Sequence, residues 1–252
     1  MAQDKEFMAT LAKGLALLGT FDKTRPQMTL SQAAVATGLS RATARRILRT
    51  LTELGYVEQS GRQFSLSSGI LKLGFAYLAT QNWIEKATPL MRLLSEQFQE
   101  SCSAAILEDT EIVYVARFPA GRIMSASLAV GTRLPAFHTS LGRVLLGFLD
   151  DDELWRRLRT VRIQAYTPST ITDVQALLDR VREDHAQGFS IVDEELERGL
   201  RSIAVPIVDR SRQAVAALNL STHSTRTTRN ELRERFLPSL RAVAEQISAS
   251  VV

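Results

Sequence analysis

Four arginines, Arg41, Arg45, Arg46 and Arg49, recur at helical spacing in "LSRATARRILRTLTELG", and no acid interrupts them before Glu53. A solvated helix surface normally mixes both signs, because like charges at i,i+4 oppose the helix, so this face calls for compensation from outside the chain. A guanidinium grips phosphate in bidentate fashion or pairs with guanine O6 and N7, which makes it a carrier of both affinity and base readout. On a helical wheel Ala44, Ile47, Leu48, Leu51 and Leu54 gather within an arc of roughly 120°. Arg45, Arg46 and Arg49 fall opposite, flanked by Arg41 and Thr43. One face suits a small core and the other suits a polyanion.

A second set of residues could bind or transform a small molecule. Thr139 and Ser140 stand where a helix begins, and free N–H groups there favour a carboxylate. Arg133 could clamp a carboxylate through its two-pronged guanidinium. Asn219 and Ser221, spaced i,i+2 on a strand, share a face. Met124, Leu128 and Leu141 would supply apolar walls. A hydrolase or transferase is the competing reading, with Cys102 or a Ser/His pair drawn from His138, Thr139 and Ser140. Adjacent residues do not readily supply nucleophile–base geometry, however, and no third orienting group is apparent. His138 suits a structural role better than a catalytic one. Phosphate-loop, nucleophile-elbow and HExxH motifs are absent, the single cysteine excludes a Cys-rich zinc site, and the three histidines lack ligand spacing. The expectation is a protein that is not an enzyme and uses no metal or cofactor.

The elements that must position these residues can be read from periodicity. Phe7–Phe21 has one apolar helical face; Thr29-Leu30-Ser31-Gln32 is a capping-box pattern opening a short helix stopped by Gly38. Ser40 caps the arginine helix, which runs to about Leu54 with Gly55 after it, and "YVEQSGRQFSL" reads as two short strands about a Ser60-Gly61 turn. Helix, helix, turn, helix, hairpin is a winged helix-turn-helix, whose third helix enters a major groove. Ser40, Arg41, Thr43, Arg45, Arg46 and Arg49 are its candidate DNA contacts, with Arg62 in the hairpin. "SSGILKLGFAYLAT" reads as a connecting helix, and a longer one follows from Trp83 to Phe98.

Beyond it "CSAAILED", "EIVYVARF" and "IMSASLAV" are β-rich. Helices are expected at Ser140–Leu149, Asp152–Leu158 and Asp173–Gln187. Strands are expected at Phe189–Val192, Ile203–Val208 and Ala214–Leu220, then a final helix from Thr228, kinked at Pro238. This pattern predicts an α+β fold with a mainly antiparallel sheet. The domains are expected at 1–68, 69–82 for the linker helix, and 83–252. Charge divides the same way: residues 1–75 hold ten basic and five acidic groups, the remainder 21 and 22, so an anionic partner should meet only the first part. The N-terminal "MAQDKEFMAT" lacks a signal-peptide pattern and no apolar run spans a bilayer, so the cytoplasm is the expected location and no membrane partner is expected.

Over nearly its full length the chain resembles the IclR family of bacterial transcription regulators. The resemblance rests on "LSRATARRILRTLTELGYV", "LPAFHTSLGRVLLGFL", "YTPSTIT", "GFSIVDEELERGLRSIAVPIVD" and "AVAALNLST", in that order. Within the family, "VGTRLPAFHTSLGRVLL" and "EELERGLRSIAVP" are most similar to the PcaR/PcaU/PobR branch, which governs protocatechuate, 4-hydroxybenzoate and β-ketoadipate catabolism. The resemblance implies a winged helix, a linker helix, a GAF-like effector-binding domain, operator DNA as partner, and a homodimer or homotetramer. It implies an effector pocket drawing on Ser140, Leu141, Asp193 or Glu194, Ser202, Asn219 and Ser221. Two departures bear on the effector's shape: Ser202 stands where the family often has cysteine, and Leu141 where smaller residues are common.

Overall fold

The structure, a computed structural model, describes residues 6–120 and 128–251. The chain divides into two compact units, Met1–Thr80 and Gln81–Val252.

The smaller unit is built on α1 (Ala9–Leu18), α2 (Leu30–Thr37) and α3 (Arg41–Glu53). Thr29 and Gln32 cap α2 reciprocally: Gln32 N–H donates to Thr29 Oγ1 and Thr29 N–H donates to Gln32 Oε1. Gly38 then ends α2 in the left-handed region at φ 66°, where a β-carbon would be strained, and this sets the sharp turn into α3. Ser40 caps α3, its Oγ accepting from Thr43 N–H at 3.2 Å. Leu17, Met28, Ala44, Leu48, Leu51 and Val57 are the buried centre of this unit. The wing has three strands rather than two: β1 (Gln27–Thr29), β2 (Val57–Ser60) and β3 (Gln63–Leu66) pair antiparallel in the order β1-β3-β2. Its turn is Gly61-Arg62, one residue later than the sequence suggested, with Gly61 at φ 59°. The unit closes with α4 (Leu71–Thr80).

The larger unit begins with α5 (Asn82–Phe98) and is organised on one six-stranded antiparallel sheet. Its strands are β4 (Ser101–Glu108), β5 (Glu111–Phe118), β6 (Arg133–Pro135), β7 (Ser190–Asp193), β8 (Leu200–Val208) and β9 (Ala214–His223), in the order β6-β5-β4-β9-β8-β7. Alternation gives each strand two characters. Cys102, Ala104, Leu218, Leu220, Ile203 and Val205 point to one face, which α5 and the C-terminal helix cover. Ser101, Ser103, Asn219, Ser221 and Ser202 point to the other, beside α6 (Ser140–Leu146), and behind α6 stand α7 (Asp151–Thr160) and α8 (Val174–Gln187). The last helix is broken: a turn α9 (Arg229–Glu231) leads through a π segment, Leu232–Phe236, into α10 (Leu237–Ser248). Pro238 lacks the N–H that an unbroken helix needs there, which accounts for the wider turn just before it. The expected strand "IMSASLAV" and candidate Met124 lie largely or wholly outside the described residues. Among the described residues no helix is long and apolar enough to cross a membrane, and no cluster of histidine, cysteine and acidic side chains could hold a metal ion.

Candidate DNA-binding helix and effector cavity

On α3 the apolar residues Ala44, Ile47, Leu48 and Leu51 are buried, and Arg41, Arg45, Arg46 and Arg49 are exposed. The helix therefore offers four guanidinium groups on a rigid, capped rod. Arg49 differs from the rest: its Nε donates to Glu53 Oε1 at 3.1 Å, one turn on. Ser40 and Thr43 are also occupied, their hydroxyls 2.9 Å apart within the cap. Arg62 is exposed at the tip of the wing.

The second site is a cavity of about 760 Å³ in the larger unit, bounded by the polar face of the sheet, the start of α6, and the loop between β7 and β8. Leu128, Thr139, Ser140, Leu141, Ser202, Asn219 and Ser221, chosen from the sequence, all line it. Ser140 and Ser202, 62 residues apart, bring their hydroxyls to 2.8 Å. Asn219 Nδ2 donates to Ser221 Oγ at 3.0 Å, and its buried Oδ1 has no partner among the described residues. Tyr114, Leu134, Pro135, Tyr166 and Leu196 add apolar or aromatic surface.

Local packing fixes the start of α6. Gly142 is indispensable there, since a β-carbon would stand 2.2 Å from the backbone oxygen of Ala136. That approach lets the fully buried Arg143 donate from Nε to Phe137 O at 2.9 Å and from Nη2 to Glu195 at 2.5 Å. Burial pushes the Glu195 carboxyl up, but the adjacent His138 imidazole and the Arg143 guanidinium outweigh it and hold the carboxyl below its usual range. Thr167 and Thr170 of "YTPST" donate to the backbone oxygens of Glu194 and Glu195, both at 2.6 Å, fastening the loop at the cavity's edge.

Three sequence candidates stand elsewhere. Arg133 is on the edge strand β6, donating to Glu111 at 2.8 Å and Glu108 at 3.0 Å, so its charge is already answered at the surface. Asp193 follows Val192 on β7 and so faces the opposite side of the sheet, where Arg201 holds it from Nε at 2.7 Å and Nη2 at 2.9 Å. Glu194 sits in a turn at φ 58°, its carboxyl held low by the Ser224 hydroxyl and the Gly199 N–H. At the helix start, Thr139 Oγ1 itself accepts from Gly142 N–H at 3.1 Å.

Sequence reasoning passed over Arg117, Tyr114 and Tyr166, and set His138 aside as structural, yet all four line the cavity. The signal for Arg117 was a lone cation inside the apolar run "EIVYVARF". The residues named for the enzyme reading stand as follows. Cys102 is buried on the far side of the sheet with its thiol pushed up by desolvation. Ser140 is bonded to Ser202, while neither ring nitrogen of His138 has a hydrogen-bond partner among the described residues, so no nucleophile–base pair is formed.

A winged helix carrying an arginine face, with a second unit enclosing a cavity walled by both polar and apolar groups, defines a class: ligand-responsive transcription regulators. Residues 10–61 match the IclR helix-turn-helix domain and residues 75–249 the bacterial transcriptional regulator IclR C-terminal domain; the chain belongs to the IclR family, whose members are regulators and not enzymes. It is 43% identical to the Pca regulon regulatory protein of Pseudomonas putida, over 97% of this chain and 84% of that protein. A transcriptional regulator structure from Rhodococcus sp. RHA1 superposes with a TM-score of 0.86 at 44% identity, covering 97% of this chain and 98% of that one. The inducer-binding domain of the PobR transcription factor from Acinetobacter, a double mutant in complex with 3-hydroxybenzoic acid, is 30% identical with a TM-score of 0.61, covering 65% of this chain and 96% of that one.

Proposed function

We propose that the protein controls genes of aromatic-acid catabolism, that the cavity of the larger unit receives a small aromatic acid, and that α3 reads operator DNA. The observation that carries this reading is the cavity's division of character. One wall is a row of buried serines and an asparagine on a sheet face that would otherwise be apolar. The opposing walls are leucine, proline and tyrosine. The serines are paired with one another or with neighbouring donors, but the buried Asn219 Oδ1 has no donor among the described residues; an atom left so costs on the order of 1–3 kcal/mol, which a polar ligand would offset. An aromatic ring with polar substituents matches both halves. The Pseudomonas relative's name and the acid bound to the Acinetobacter domain support the same class.

In this reading Thr139, Ser140, Leu141, Ser202, Asn219, Ser221 and Leu128 contact the effector, and Arg41, Arg45, Arg46, Arg49 and Arg62 contact DNA. The operator-binding form is a dimer or larger assembly of this chain. Phe7, Met8, Leu11 and Leu15 at α1, and Leu71, Leu73 and Phe75 on α4, are large apolar side chains left exposed in the smaller unit, a surface suited to a second copy.

Isothermal titration of the full chain with 4-hydroxybenzoate, protocatechuate and β-ketoadipate tests the cavity. Saturable binding of one of the two aromatic acids is expected. Binding of β-ketoadipate alone would replace the aromatic class with an aliphatic diacid, and absence of binding by all three would reject the reading.

A further inference from the structure

The cavity contains a cation, Arg117, that pairs with no carboxylate among the described residues. Arg117, on β5, donates from Nη1 to Ser103 Oγ at 3.0 Å, and its guanidinium carbon lies 5.9 Å from the centre of the Tyr114 ring. Its Nε is buried and has no acceptor among the described residues. The neighbouring carboxylates are committed elsewhere. Glu100 accepts from Arg226 at 3.1 and 3.0 Å and from Thr222 at 2.9 Å; Glu195 is held by Arg143, and Glu108 and Glu111 by Arg133. Glu197 also lines the cavity, exposed on the β7–β8 loop at the opposite edge of the sheet from β5, and makes no ion pair with Arg117. Burial without a counter-ion holds the Arg117 guanidinium below its ordinary value. The ring of Tyr114 eases that burial through its face while leaving the charge in place.

A β-bulge creates this arrangement. Ala104 pairs with Ala116 and Ala105 with Tyr114, which leaves Val115 unpaired. Tyr114 and Arg117, three residues apart, thereby reach the same face, where a regular strand would send them to opposite faces. Arg117, Ser103 and Asn219 then form one row across β5, β4 and β9. Two strand spacings separate the ends of that row, roughly 10 Å between backbones. At one end is a donor lacking an acceptor, and at the other, Asn219 Oδ1, an acceptor lacking a donor.

We propose that Arg117 receives the carboxylate of the effector on its Nε edge, and that Asn219 Oδ1 accepts a hydrogen bond from a hydroxyl at the effector's far end. The ligand is then a hydroxylated aromatic acid lying along the row with its acid toward β5. This rests on the cavity being the effector site, and it moves the acid from the start of α6 to the sheet.

The test is isothermal titration of the full chain with 4-hydroxybenzoate, benzoate and 4-hydroxybenzamide, the last matching the first in shape without its charge. Wild type should prefer 4-hydroxybenzoate over the amide by at least about 30-fold, the effect of leaving one partner of a buried charge pair unmatched. Arg117→Met should remove that preference while its thermal midpoint stays at or above wild type, because an uncompensated buried cation has been removed. Asn219→Leu should keep the preference for acid over amide and lose that for 4-hydroxybenzoate over benzoate. An Arg117→Met protein that still prefers the acid places the carboxylate elsewhere and leaves the cavity reading standing. A lower midpoint in that variant makes Arg117 a structural residue and overturns the proposal. Wild type that binds none of the three compounds overturns both readings.

Discussion

Replacing Arg45, Arg46 and Arg49 together with alanine should abolish operator binding at little cost to the fold. The structure sets both halves of that expectation. All three side chains are exposed, while Ala44, Ile47, Leu48 and Leu51 form the buried stripe of the helix. The change relieves like-charge i,i+4 pairs (Arg41 with Arg45, Arg45 with Arg49), worth about 0.2–0.5 kcal/mol each. It removes the exposed i,i+4 ion pair between Arg49 and Glu53, worth about 0.3–0.5 kcal/mol. Alanine also has slightly the better helix propensity. Together these terms leave the variant's fold unchanged or up to roughly 1 kcal/mol more stable. Binding is different, because every guanidinium withdrawn from a phosphate should flatten the log–log dependence of affinity on salt by about 0.9. A guanidinium that instead reads a base carries about 1–3 kcal/mol of discrimination. The single variants should rank: Arg49→Ala costs less than Arg45→Ala or Arg46→Ala, because Glu53 already answers part of its charge. Fluorescence anisotropy on labelled operator from 50 to 200 mM salt, beside far-UV circular dichroism, measures all of this. A folded triple variant with unchanged affinity and salt slope would refute the assignment of α3 to DNA.

Further expectations concern the larger unit and the assembly. Ser140→Trp should fill the cavity beside Ser202 and remove effector binding in titration calorimetry, with operator affinity in the absence of effector retained; unchanged effector affinity would place the site elsewhere. Glu195→Gln should cost about 3–5 kcal/mol in urea unfolding at pH 7, because it strands the buried Arg143 charge. The folded-state pKa of Glu195 is depressed, so its contribution is full above the usual carboxylate range of about 4.3 and fades as pH falls through the lowered value. The gap between variant and wild type should therefore close in acid, and a gap independent of pH would contradict the ion-pair account. Leu11→Glu with Leu15→Glu should shift the protein toward smaller species in sedimentation velocity; an unchanged distribution would remove α1 from the proposed interface.

Legibility in the sequence followed the range of the interactions. The helices of the smaller unit announced themselves through local chemistry: the Thr29/Gln32 box, the Ser40 cap, Gly38, and the apolar stripe of α3. Strand β1 did not, because three residues are too few to show alternation, and it exists through its pairing with β3. In the larger unit Ser202, Asn219 and Ser221 could be placed on one face by counting in twos. The same counting, carried one step further, sends Asp193 to the far face with Arg201, and only the strand's register shows it. Choosing between Arg133 and Arg117 was beyond local pattern, since each is a lone arginine in an extended run. The decision lies in Glu108 and Glu111, more than 20 residues from Arg133, and in a bulge at Val115 that no periodicity marks. Likewise, the buried Arg143–Glu195 pair joins residues 52 apart, so the sequence of α6 does not reveal what its arginine holds.

The central claim is that one chain couples a small acid in the larger unit to DNA held by α3. Anisotropy of wild-type protein on DNA from upstream of its own gene, titrated with 4-hydroxybenzoate and protocatechuate, tests it most directly. At least one acid should change operator affinity or alter the complex saturably, with benzamide inert and Ser140→Trp unresponsive. Operator binding that neither acid alters, at concentrations that saturate the cavity in calorimetry, would contradict the account.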